Sequence, residues 1–247
     1  MKRGDLLKAI ILLVFLWAAL AALIQQPILP SPLVVARAFW QEMIKGDILE
    51  HLGASLWRVI SSTILAILAA APAGLVLGQS KKLNDLFAPV IYLLYPIPKV
   101  VLVPIVLLFF GIGDFPKIII IFMILFFQIL VLVRDQASSI RPELIQSVRS
   151  LGAGRRALFR YVYLPASLPA ILTALRQSVG TAVAVLYIAE LFATQRGVGY
   201  YIYLNGSTLF NYPAMYAGII ALSLMGLTLY FSVDWLEKKL CPWQTAA

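Results

Sequence analysis

Three charged residues sit inside stretches that are otherwise apolar: Lys99, Arg176 and Glu190. An ion near the middle of a bilayer costs roughly 2.5–3.5 kcal/mol on insertion scales, so each needs a partner, a wet cavity or a route to the surface. A lysine held this way suits an anion on a conduction path, and a lone carboxyl such as Glu190 suits a proton relay. Lys99 lies among Pro89, Pro96, Pro98 and Pro104, and backbone groups freed by prolines need a cavity or a neighbouring segment to satisfy them. This predicts that Lys99, Pro96 and Pro98 line a translocation path, with Glu190 beside it. Two quieter roles compete: Lys99 reaches the interface along its own stem, or it pairs with Glu190 to hold two spans together. Arg176 reads as an anchor to headgroups or helix-end carbonyls.

Other chemistry is thin. The single histidine, His51, has no Cys or His at ligand spacing, so it reads as a polar loop residue and no metal site is expected. The single cysteine, Cys241, excludes a disulfide framework. The chain carries no Gly-x-x-x-x-Gly-Lys-Ser/Thr phosphate loop, so no ATP chemistry and no cofactor are expected of it.

The elements that must position these groups follow from composition. Of 247 residues, 62% are apolar and 13% charged, and the mean hydropathy is +0.91. Soluble chains carry roughly a quarter charged residues, which excludes an ordinary cytosolic enzyme. Roughly 20 apolar residues cross a bilayer as a helix, so the chain reads as an all-α polytopic membrane protein of about six spans, one domain over residues 1–247. An extra first span covers residues 6–24, behind Lys2, Arg3 and Lys8; a cleavable secretory signal ending near Ala19-Leu20-Ala21 is its competitor. Residues 25–55 read as an exposed, partly amphipathic connection. Core spans fall within about 56–236: residues 59–80, a proline-broken 86–110, 118–133 closed by Arg134, 168–191, and 214–233.

Orientation follows from Lys and Arg near span ends. One side collects Lys2, Arg3, Lys8, Lys81, Lys82, Arg134, Arg141, Arg149, Arg155, Arg156, Arg160, Lys238 and Lys239, while the other has Arg37, Lys45, Arg58, Lys117 and Arg196. Both termini are therefore expected in the cytoplasm. The net charge of +9 is accounted for by topology, without nucleic acid. Tyr200, Tyr201, Tyr203 and Tyr212, with Asn205 and Asn211, suit an interfacial belt or a surface that meets a binding protein.

One long loop, residues 134–164, falls on the basic side. Pro142 can open a helix at its first turn. Leu144, Ile145, Val148 and Leu151 then recur on one face, Gly152 stops the helix, and Leu158, Tyr161 and Val162 mark a second stripe before Leu164-Pro165 turns the chain back. Such a pair of short helices fits a docking knob for another protein or an interfacial pair lying on headgroups; periodicity leaves both open.

The spacing adds a resemblance. Gln146-Ser147-Val148, three residues, Gly152, nine residues, then Val162-Tyr163-Leu164-Pro165 resembles the signature loop of ABC-importer permeases, where Glu-Ala-Ala precedes the glycine and Ile-x-Leu-Pro closes the pattern. Tyr95-Pro96-Ile97-Pro98-Lys99, Phe110-Gly111-Ile112-Gly113, Ala189-Glu190 and Gly197-Val198-Gly199-Tyr200 are similar to the branch handling nitrate, sulfonates, taurine and bicarbonate. The resemblance implies a type I (MetI-like) importer permease fold and a second permease subunit, as a homodimer or a pseudo-dimer. It further implies a cytoplasmic ATPase dimer gripped through Glu143, Gln146, Ser147, Val148, Leu151, Gly152, Ala153, Leu164 and Pro165, and an extracytoplasmic binding protein that delivers a small anion. The usual leading Glu is Gln146 here, so its contact becomes a neutral hydrogen bond or passes to Glu143. An ion-coupled carrier or channel using Lys99 and Glu190 is the alternative; such carriers often show two similar halves, and no repeat is evident.

Overall fold

The computed structural model describes residues 3–192 and 194–244; Lys2, counted above among the basic residues, lies outside them. Helices dominate, and no strand occurs among the described residues. The chain divides into two compact units, one of Met1–Ser55 and Thr194–Met225, the other of Leu56–Ala193 and Gly226–Ala247.

The first unit holds α1 (Arg3–Ile24), α2 (Pro32–Lys45), the start of α3 (Ile48–Gln79), α10 (Val198–Tyr203) and the first half of α11 (Tyr212–Leu240). Residues 25–55 are not merely an exposed connection. Pro32 opens α2 at its first turn behind Ser31, and α3 starts eleven residues ahead of the expected residue 59, with Val35 and Ile48 fully buried. Ile48 packs with Tyr201, Ala214 and Ala221, flanked by Phe39, Met43 and Leu52. The Trp17 indole N–H donates to the Pro30 carbonyl at 3.1 Å, and its ring stacks on Tyr216. His51 is a helical residue rather than a loop one: its Nδ1 accepts from the Gly197 N–H at 3.0 Å, and Ser55 Oγ accepts from the Val198 N–H at 2.8 Å. Two otherwise orphaned donors at the start of α10 are thereby satisfied. Tyr201 is buried and only Tyr203 of the neighbouring pair is well exposed, so the tyrosines do not form one uniform belt.

In the second unit α6 (Asp114–Ser138) packs along α9 (Leu164–Glu190). α3 lies against α6 at Gly74 and Gly78: a Cβ on Gly78 would stand 2.6 Å from both the Ala137 methyl and the Arg134 carbonyl oxygen. Small residues four apart allow backbones to approach this closely. The proline-rich span is broken as expected. α4 (Lys81–Leu94) and the segment Lys99–Phe110, made of one 3₁₀ turn and α5 (Val103–Phe110), meet at 73°. Among the described residues, four helical stretches are long and apolar enough to cross a membrane, five with this bent pair, and Lys8–Ile24 within α1 forms a shorter apolar helix.

Several loop expectations are corrected. Arg134 does not close its span; α6 runs on to Ser138 and buries Arg134 beside Asp135. Leu164-Pro165 does not turn the chain, because α8 (Arg155–Leu158) runs on through the following turn into α9, helical from Arg155 to Glu190. Pro165 has no N–H and its ring crowds the preceding turn. The chain relieves this with a π-helical turn, Phe159–Tyr163, in which the Leu164 N–H donates to the Phe159 carbonyl five residues back.

Candidate functional site

α7 (Pro142–Ser150) forms where the proline and the glycine predict it, with Pro142 in its first turn and Glu143 at its N-terminus. The Gly152 N–H donates to the Arg149 carbonyl at 2.9 Å, and Gly152 has φ +82°, a left-handed conformation open to glycine. None of α7 is buried. Glu143, Gln146 and Ser147 face solvent, as does Leu151 at 83% exposure. The apolar stripe therefore splits. Leu144 and Val148 turn towards Tyr161, Val162 and Pro165 around a cleft of about 320 Å³, while Leu151 stands bare beside Gly152 and Ala153. Leu164 is also partly exposed.

At the break in the third span, helix geometry leaves the last carbonyls of α4 without donors. The N–H that would reach the Leu94 carbonyl belongs to Pro98, which has none. The Lys99 ammonium takes that place: it donates to the carbonyls of Leu94 at 2.7 Å, Tyr95 at 3.0 Å and Ile97 at 3.2 Å. It also lies 4.6 Å from the centre of the Phe127 ring, a favourable cation–π distance. Lys99 is 9% exposed and lines a cavity of about 350 Å³ with Tyr95, Ile97, Pro98 and Gln128. Among the described residues no carboxylate lines that cavity. Pairing with Glu190, one of the quieter roles, does not occur.

Glu190 is not a lone carboxyl. Fully buried at the end of α9, it accepts from Arg58 at 2.6 Å, and Arg58 also grips Asp114 at 2.6 Å. The Lys117 ammonium, itself buried, donates to the Gly113 carbonyl at 2.8 Å. Arg58, Asp114 and Glu190 thus tie α3, α6 and α9 together. Arg58 and Lys117, counted above as loop charges, belong inside helices. Arg176 is likewise no headgroup anchor: it pairs with Asp234 at 2.9 Å and Glu237 at 3.1 Å on α11, while Thr173 donates to Glu237 at 3.0 Å. Sequence reasoning missed Arg58, Asp114, Lys117 and Gln128; the one available signal was that each borders or interrupts an apolar run. Among the described residues, no cluster of His, Cys, Asp and Glu forms a metal site.

The model of the binding-protein-dependent transport system inner membrane component family matches residues 62–241. The chain belongs to this family. It is an ABC-importer permease subunit, an inner membrane component of a transport system, rather than an ion-coupled carrier. The permease is 30% identical to the taurine transport system permease protein of Escherichia coli over 95% of its own length and 87% of that protein's. It is 28% identical to the putative aliphatic sulfonates transport permease protein of Bacillus subtilis, over 99% and 88%, and 32% identical to the riboflavin transport system permease protein of Chloroflexus aurantiacus, over 96% and 89%. Its fold matches a chain of the MetNI methionine ABC transporter in inward-facing conformations with a TM-score of 0.71 at 19% identity, covering 81% of the permease and 98% of that chain. It also matches a chain of a bacterial ABC transporter that imports alginate, with a TM-score of 0.63 at 18% identity, covering 96% of each.

Proposed function

We propose that this permease carries a small solute with a sulfonate group, of the taurine class, inward through the membrane. The observation that carries this reading is the charge on Lys99. Arg58, Arg134 and Arg176 each have a carboxylate partner, whereas Lys99 spends its N–H groups on carbonyls and, among the described residues, has no carboxylate in its cavity. A low-dielectric cavity with that charge favours the anionic sulfonate group of such a solute. The taurine and sulfonate relatives support the same class. Pro96, Pro98 and Lys99 border the route, and Glu190 braces its wall through Arg58.

The motor is a separate cytoplasmic ATPase dimer. It docks on Glu143, Gln146, Ser147, Val148, Leu151, Gly152 and Ala153, with Leu164 and Pro165 backing them. The 83%-exposed Leu151 supports this, since a bare apolar side chain beside a rigid turn is the kind of anchor that partners bury. A second copy of the permease completes the pore, and an extracytoplasmic binding protein delivers the solute. Both termini lie in the cytoplasm; withdrawing Arg58 and Lys117 into buried networks leaves Arg37, Lys45 and Arg196 on the opposite side and steepens the basic asymmetry.

The test is uptake by proteoliposomes holding the permease with its co-purified ATPase and binding protein. Radiolabelled taurine is expected to accumulate with ATP, and riboflavin is not. Lys99→Met is expected to lower taurine uptake about tenfold, the scale of one lost charge–charge contact, with the ATPase still attached. Undiminished uptake by that variant would take Lys99 off the route.

A further inference from the structure

The C-terminal end of α11 is fastened firmly. Arg176 holds Asp234 and Glu237, and Cys241, 1% exposed, packs with Leu172 and Leu175 of α9. Pro242 cannot extend the helix, and a single 3₁₀ turn, Pro242–Gln244, follows. That turn places Trp243 at the wall of two clefts. One is the cleft of about 320 Å³ that Leu144 and Val148 of α7 face; the other, about 480 Å³, is walled by Leu132 and Gln136 of α6 and by Pro169 and Thr173 of α9.

We infer that Trp243 is a positioning residue for α7. The inference rests on the reading of α7 as the element that meets the ATPase. α7 buries none of its own residues, so few contacts fix its angle, and Leu144 and Val148, the first half-exposed, share their cleft with this indole, itself half-exposed. A Trp side chain is large and has few rotatable bonds, so it transmits displacement at small entropic cost. Being rooted through Cys241 and the Arg176 pairs, the indole backs α7 with the α9–α11 assembly. The cleft left over gives α7 room to settle when the motor pulls on it. The tail of the chain thus determines how faithfully movement of the docked helix reaches the spans.

The test uses the full-length permease, alone and with its co-purified ATPase. In Trp243→Ala, amide hydrogen exchange across residues 143–151 is expected to rise roughly tenfold, a local opening effect, while exchange in α6 stays unchanged. In the complex, ATP hydrolysis is expected to change several-fold, the usual range for coupling between sites, with the ATPase still present in the wild-type ratio. Trp243→Phe, which keeps a ring, is expected to restore both. Unchanged exchange in α7 overturns the inference. Faster exchange with unchanged hydrolysis overturns instead the reading of α7 as the motor's docking element. Where Trp243→Ala fails to fold, Trp243→Leu set against Trp243→Phe gives the same comparison, equal exchange in the two overturning the role of the ring.

Discussion

Single side chains in this permease solve the same problem in different ways. Arg58 and Arg176 find carboxylates on other helices, while Lys99 turns back on the carbonyls that its own prolines expose. The Arg58 solution makes a sharp prediction. Glu190→Ala removes the fully buried carboxylate that pairs with an arginine only 3% exposed and leaves Asp114, nearly half exposed, as its acidic partner in the cluster. Breaking a buried pair costs about 3–5 kcal/mol, so thermal unfolding in detergent is expected to begin several degrees lower, with Glu190→Gln intermediate. An unchanged transition in Glu190→Ala would show that the pair does not hold the helices. Around Lys99 the break itself was legible, since Pro96 and Pro98 alone dictate it, but its bonds to the carbonyls of Leu94, Tyr95 and Ile97 were not among the expected roles. Arg58 was not legible. Its partner is 132 residues away, and a charge at the margin of an apolar run looks the same whether it faces water or another helix.

At the scale of elements, helix ends were readable wherever a residue type alone dictates them, as Pro142 and Gly152 do for α7. They were misread where a neighbouring turn adjusts, as the π turn before Pro165 does. The close crossing of α3 and α6 was also invisible, because Gly74 and Gly78 look like any small residues in an apolar run. It predicts that Gly78→Leu, whose Cβ alone would stand 2.6 Å from two atoms of α6, separates the helices. Overpacking of this kind costs about 1–3 kcal/mol or more, and a Leu there is expected to reduce folded yield severalfold, with Gly78→Ala milder. Wild-type yield from Gly78→Leu would mean that the two backbones have room to part.

For the molecule as a whole, composition fixed the class, and charge placement suggested the orientation; what composition cannot carry is which buried charges pair, since that depends on contacts between distant segments. The single cysteine offers a clean whole-chain probe. Burial pushes the Cys241 thiol above its ordinary pKa, and nearby Glu237 adds to the effect. Less thiolate and little access predict maleimide labelling at neutral pH at least about tenfold slower than for free cysteine, complete only after unfolding in SDS. Fast labelling of the native protein would show that the end of α11 is not seated. The unbroken rod Arg155–Glu190 has a mechanical consequence. Its 36 residues reach about 54 Å at 1.5 Å per residue, well beyond a hydrocarbon slab of about 30 Å. A seesaw of that length, tipped by about 10° around its centre, swings each tip by about 5 Å in opposite senses. A push delivered next to Gly154 is thereby carried, in the opposite sense, towards the clasp between Glu190 and Arg58.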